Sequence, residues 1–227
     1  MQVVALCSQK GGSGKTTLSG HLAVQAALAG AGPVVLIDTD PQGSLAAWWN
    51  ERRTDVPAFC STALAQLPAD LERLRLEGFK LVMIDTPPAI NMAIQRVINV
   101  ADLVVIPTRA SPHDLRAVAG TVEMAERAHC AMVFVLNAVN LRAKITSDAV
   151  IALSQHGTVA PVFIQHRTDY AASMIDGRTV CELEPEGRSA IEIQELWHYL
   201  AGQLARQERR KVFQQPVALG FGRRASL

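Results

Sequence analysis

Ten consecutive residues, Ser8-Gln9-Lys10-Gly11-Gly12-Ser13-Gly14-Lys15-Thr16-Thr17, hold the densest chemistry in this chain. An apolar β-branched run, residues 3–7, precedes them, and an Ala- and Leu-rich stretch, 16–28, follows, so the local order is strand, loop, helix. Glycine at 11, 12 and 14 lets successive backbone N–H groups turn inward around an anion. The start of the helix adds partial positive charge, and Lys15 reaches the β/γ end of a bound triphosphate. The Thr16 hydroxyl is placed to ligate Mg²⁺, with Ser13 and Thr17 completing the cradle. The G-x-G-x-x-G fingerprint of dinucleotide sites does not occur in this loop.

Two more strand ends carry carboxylates. Residues 34–44 read VVLIDTDPQGS and place Asp38 and Asp40 after an apolar run; residues 81–88 read LVMIDTPP and place Asp85 after another. Ligands of open α/β sheets gather at the carboxyl ends of strands. A carboxylate there can hold Mg²⁺, directly or through water. It can also orient a water in line with the γ-phosphate, which is most of what phosphoryl transfer needs.

These groups require a scaffold that brings several strand ends to one edge. Apolar runs recur at 3–7, 34–37, 81–84, 103–106, 132–136 and 159–164, continuous rather than alternating, as in strands covered on both faces. Helical patterns at 16–28, 61–76, 115–128, 147–154 and 189–207 separate and follow them. Alternation of this kind predicts a doubly wound, mostly parallel α/β sheet with helices on both faces. The expected division is a single domain over 1–206 and a basic, disordered tail over 207–227, where the apolar periodicity lapses.

Composition narrows the function classes. Lys and Arg total 22 against 21 Asp and Glu, a net charge of +1. From Arg206 onward there are six basic residues and one acidic, so a basic tail follows a mildly acidic body and suits an anionic partner. Cys7, Cys60, Cys130 and Cys181 are scattered without a C-x-x-C pair, which signals neither a disulfide framework nor a zinc site. No signal-peptide pattern opens the chain and no apolar run is long enough to cross a bilayer, so the expected location is cytoplasmic. His21, His129 and His198 lack metal-spaced partners and are expected to serve packing or surface roles, and Trp48 and Trp49 to pack the helix after residue 44.

The loop departs from the generic phosphate-loop pattern at Gln9 and adds Lys10 at its head. KGGSGKT resembles the deviant Walker A motif of the ParA/MinD family of P-loop ATPases, DTDPQGS resembles that family's switch I, and DTPP its Walker B and switch II. Similarity continues through VVIPT with SPHDL and through VLN to about residue 205. The resemblance implies ATP and Mg²⁺, an ATP-dependent homodimer in which Lys10 contacts the partner's nucleotide, and catalytic roles for Lys10, Lys15 and Asp40. It implies metal sites at Thr16, Asp85 and Asp40, and an adenine contact by Asn137. It further implies non-specific DNA binding, a nucleoid-associated ATP form, and a ParB-like or cargo-adaptor protein that stimulates hydrolysis. Arg167, Arg188, Arg206, Arg209, Arg210 and Lys211, with Arg142 and Lys144, are the DNA contacts expected from charge and this similarity. A MinD-like membrane ATPase is the alternative, which Pro216, Gly220 and Gly222 disfavour by interrupting any C-terminal amphipathic helix. A nucleotide-regulated scaffold without turnover is a third reading, against which the full set of Lys10, Lys15, Thr16, Asp40 and Asp85 stands.

Overall fold

The computed structural model describes residues 1–89 and 92–214, with side chains as far as Arg210. Among them, seven strands form one sheet in the order β3-β2-β4-β1-β5-β6-β7. The strands are β1 (Gln2–Leu6), β2 (Val34–Asp38), β3 (Ala58–Phe59), β4 (Leu81–Asp85), β5 (Leu103–Thr108), β6 (Ala131–Leu136) and β7 (Thr158–Val159). Every pairing is parallel. The doubly wound expectation therefore holds.

Continuous apolar strands are explained by burial on both faces. In β1, Val4 and Leu6 enter one core while Val3, Ala5 and the following Cys7 enter the other. β4 repeats the division, with Leu81 and Met83 on one side and Val82 and Ile84 on the other. The first core is closed by α1 (Lys15–Leu28), α2 (Ser44–Asn50), α9 (Val180–Leu183) and α10 (Arg188–Gln214); α8 (Asp169–Ser173) adds Tyr170. The second is closed by α3 (Leu67–Leu76), α4 (Met92–Val100), α6 (Ala119–Arg127) and α7 (Lys144–Ser154), with α5 (Pro112–Ala117) leading into α6.

Several elements differ from expectation. The helix expected from residue 61 begins at Leu67, with Pro68 suited to its first turn, and residues 61–66 are irregular. The 115–128 pattern is split at Val118 into α5 and α6, and α5 starts earlier, where the Ser111 side chain caps it. The last strand is only Thr158–Val159, since Pro161 cannot donate a ladder hydrogen bond. Two-residue β3 is too short to register as an apolar run.

The closing helix corrects the expected tail boundary. α10 does not stop at Gln207 but continues through Gln214. Burial ends near Leu204, so apolar periodicity vanishes, yet Arg, Gln, Glu and Lys are good helix formers and no Gly or Pro intervenes before Pro216. Residues 215–227 lie outside the described residues. Cys7, Cys60, Cys130 and Cys181 form no disulfide among the described residues, and the first two and the last are buried. No helix among the described residues is long and apolar enough to cross a membrane.

Candidate nucleotide site

The parallel register sets the site's position. Leu6 pairs with Asp85 and Asp38 pairs with Asp85 across β1, β4 and β2, so the phosphate loop and the acidic strand ends meet at one edge. Gly12 and Gly14 adopt left-handed backbone conformations, φ 73° and 99°, which a side chain would strain. Gly14 has a second constraint: an added Cβ would lie 1.9 Å from Asn137 Nδ2. Only glycine admits Asn137 there.

Asp85 is the hub of the acidic wall. It is fully buried, accepts the Thr16 hydroxyl at 2.6 Å on Oδ2 and the Ser19 hydroxyl at 3.2 Å on Oδ1. Burial pushes its pKa up to about 7, Thr16 opposes that rise, and the nearby Asp38 charge adds to it. A buried carboxylate beside a threonine hydroxyl is a hard-oxygen pair, which fits Mg²⁺ and not a thiol-seeking metal. No group of three or more His, Cys, Asp or Glu placed to hold a metal occurs among the described residues. Oxygens of a nucleotide and water would have to complete such a shell, as is usual for Mg²⁺. The buried Ser13 hydroxyl has no partner, so the cradle retains an unused donor.

Lys15 is buried, with its ammonium 3.4 Å from the Lys10 carbonyl. Burial lowers its pKa, while the Asp85 and Asp40 charges pull it back up. Lys10 itself is exposed. Asp38 accepts backbone N–H groups of Asp40 at 3.0 Å and of Leu45 and Ala46 at 3.0 and 3.1 Å. It supports the Asp40 turn and caps the start of α2, as a second carboxylate behind Asp40 should. Asp40 is half-buried and accepts Gln42 N–H at 3.0 Å.

A cleft of about 290 Å³ adjoins the loop. Gly12, Gly14, Thr17, Arg109 and Asn137 line one part, and the segment Gln165-His166-Arg167 another. Asn137 is at this cleft, though its amide donates to the Ser13 carbonyl at 2.7 Å, so here it braces the loop. Of this segment the sequence singles out only Arg167, as an expected DNA contact, and nothing in its residue types signals a place on the cleft.

Arg167, expected as a DNA contact, is paired within the fold. Its guanidinium binds Glu192 Oε1 at 2.9 Å, with side-chain exposures of 22% and 11%. Glu192 also accepts the Gln165 N–H at 2.9 Å and the Tyr170 hydroxyl at 2.7 Å. A guanidinium paired with a buried carboxylate contributes to holding the fold. The remaining basic residues do not form one patch. Arg142 and Lys144 follow β6 and, like Arg188 at the start of α10, are exposed. Arg206, Arg209 and Arg210 are exposed about 27 Å or more farther along the same helix. There Glu208 meets Gln2 at 3.4 Å, and Gln2 begins β1, so this basic end sits at the amino edge of the sheet. The side chain of Lys211 lies outside the described residues. His21 is buried, its Nδ1 2.8 Å from the Thr17 carbonyl and its ring edge-on to Tyr170.

Comparison with known proteins agrees with this geometry. Residues 4–180 match the model of the CobQ/CobB/MinD/ParA nucleotide binding domain. A maintenance of carboxysome distribution protein A from Gloeobacter kilaueensis is 46% identical over 126 residues, 55% of this chain and 56% of that one, so this match spans just over half of the relative. The protein of the same name from Halothiobacillus neapolitanus is 32% identical over 200 residues, 83% of this chain and 91% of that one. A Cyanothece McdA variant solved as its ATP complex superposes with a TM-score of 0.74 over 88% of this chain and 96% of that one, at 19% identity.

Proposed function

Because the chain belongs to the CobQ/CobB/MinD/ParA nucleotide-binding family, we propose that it hydrolyses ATP to distribute a protein microcompartment of the carboxysome kind. Family members are ATPases, and this chain is a ParA-like member related to positioning ATPases. The names of the two relatives described above support the microcompartment as cargo, beside other relatives named for chromosome partitioning. The observation that carries the mechanism is the exposure of Lys10 at the head of a loop whose other lysine is buried.

Lys15 and the inward N–H groups of residues 11–17 hold the phosphates, and the Ser13 hydroxyl supplies a further donor. The base occupies the cleft between Asn137 and the 165–167 segment. Thr16 and Asp85 would hold Mg²⁺, which would supply charge to offset that of the β- and γ-phosphates. Asp40 orients the attacking water, with Asp38 fixing its backbone. Two such subunits meet across their carboxyl edges, and each Lys10 reaches the other's triphosphate, where it offsets repulsion between nucleotides. A partner protein stimulates turnover and ends the cycle.

The closed dimer binds DNA through phosphates without reading sequence. Arg142, Lys144 and Arg188 lie toward the dimerising edge, where two subunits can combine their phosphate contacts on one duplex. Arg206, Arg209 and Arg210 lie at the far edge and add contacts that do not depend on dimerisation.

Light scattering after size exclusion, with ATP and Mg²⁺, tests the cycle. Asp40→Ala should accumulate as an ATP-bound dimer with turnover reduced at least about 100-fold. Lys10→Ala should bind nucleotide yet remain monomeric. A dimer that forms equally without nucleotide, or that neither substitution alters, would sink the sandwich mechanism. ATP-dependent pelleting with anionic liposomes, together with no salt-sensitive DNA retardation, would replace the DNA surface with a membrane.

A further inference from the structure

One cation at the cleft has no part in the machinery above. Arg109 follows β5 at the carboxyl edge, where β5 pairs with β1, the strand that leads into the phosphate loop. A Cβ placed on Gly12 would lie 3.8 Å from Arg109 Nη2, so the guanidinium rests against the glycine segment of the loop. Arg109 shares its cleft with Gly12, Gly14, Thr17 and Asn137.

Its backbone is fixed on two sides. The Arg109 carbonyl accepts Ser111 N–H at 2.9 Å, and the carbonyl of the preceding Thr108 accepts Asn137 N–H at 2.8 Å from neighbouring β6. The side chain is the opposite: it is exposed, and makes no hydrogen bond or ion pair among the described residues. A long cation with a rigid root and a free head can move a few ångströms at little cost. It gives up no existing partner by doing so.

Charge balance gives the head somewhere to go. Asp38, Asp40 and Asp85 gather at the loop against two lysines, and Lys10 is not among the residues that line this cleft. A bound triphosphate brings several negative charges to a loop already faced by three carboxylates, so a guanidinium beside Gly12 can share their neutralisation with Lys15 and a divalent cation. The planar guanidinium fork matches paired phosphate oxygens better than an ammonium does.

We propose that Arg109 is a further nucleotide-contacting residue, closing on the terminal phosphates of ATP bound in its own subunit. This rests on the reading of the cleft as an ATP site. Gly12 places it on the middle of the loop, the part that wraps the β/γ end, so it distinguishes triphosphate from diphosphate. It acts from within the subunit, whereas Lys10 reaches across.

Calorimetry on the full chain with Mg²⁺, using AMPPNP and ADP as separate probes, tests this. Arg109→Ala should weaken AMPPNP binding about tenfold or more and ADP binding by no more than about threefold, as removal of one charge-assisted hydrogen bond would. Arg109→Lys should recover part of the affinity. Repeating the measurement in Lys10→Ala, which is expected to be monomeric, should give the same ratio. Unchanged AMPPNP affinity, equal weakening for AMPPNP and ADP, or an effect that disappears in the monomeric background would each overturn the assignment. The underlying ATP-site reading fails differently: wild-type protein would not bind AMPPNP, or Lys15→Ala would bind it as well as wild type does.

Discussion

The phosphate loop and the layer around Glu192 both depend on buried charge, but they are assembled in opposite ways. In the loop, ten consecutive residues supply the glycines, the lysines and the threonine, and neighbouring strands add carboxylates from equivalent positions. Around Glu192, one carboxylate collects Gln165, Arg167 and Tyr170 from 22–27 residues away. The loop is organised to accept a ligand, and so it keeps an unpartnered Ser13 hydroxyl and a lysine resting on a carbonyl. The groups of the Glu192 layer are committed to one another. An arginine in the first setting is available for function, and one in the second is part of the fold.

Substitutions should separate the two regions, beginning with the loop. Lys15→Ala removes the buried cation of the loop, and on the proposed ATP site calorimetry should find ATP affinity reduced more than about 100-fold with the thermal transition little changed. Near-normal turnover would break the comparison at its strongest point.

Glu192→Ala should do the reverse. It strands a guanidinium and a backbone N–H and leaves the Tyr170 hydroxyl with only the Ser189 carbonyl, and should cost roughly 3–5 kcal/mol in denaturant unfolding. If stability barely moves, the layer is not a structural hub. Arg167→Ala should also destabilise, and should leave the salt dependence of DNA binding unaltered.

Acid should expose a second closed contact. Burial depresses the His21 pKa to about 4, from an ordinary value of 6.5. The unfolded chain therefore binds a proton that the native site refuses. Stability contributed by neutral His21 is complete above pH 6.5 and is lost as pH falls toward 4, by up to roughly 3 kcal/mol. Urea melts across that window should flatten in His21→Gln, after comparison with the wild-type curve. Parallel curves would assign the acid sensitivity elsewhere.

The smallest effect on the fold should come from the far end of α10. Replacing Arg206, Arg209 and Arg210 together by alanine should change stability by no more than about 0.5 kcal/mol each, as for exposed positions. The same variant should lower the slope of DNA affinity against salt by roughly one unit for each phosphate no longer neutralised. A large drop in stability with an unchanged slope would place these side chains with Arg167.

The contrast also explains what could be read in advance. Loop, strand ends and sheet were legible because motif residues are chain neighbours and each strand places its own carboxyl end at the site. The pairing of Arg167 was not legible because Glu192, its partner, is 25 residues away and no spacing rule joins them. The length of α10 was hidden for another reason: beyond Leu204 the helix continues without a face to bury, so propensity persists where apolar pattern does not. Arg109 carries no motif at all, and only the approach of its head to Gly12 singles it out.

Asp38 has a mechanical consequence beyond its charge. It grips the first turn of α2, while at the other end Arg52 donates to the Gly177 carbonyl at 2.6 Å and to Glu182 at 2.8 Å, stacked over Trp48. Gly177 is pressed so close that an added Cβ would stand 2.5 Å from Arg52 N. α2 is thus a beam about 10 Å long, clamped at both ends. The span from Thr39 to Gly43, which carries Asp40, hangs between that beam and the end of β2. Its slack is confined to a few torsions around the left-handed Gly43, φ 63°. A carboxylate suspended on so short a span holds its position at rest, with few torsions left to order.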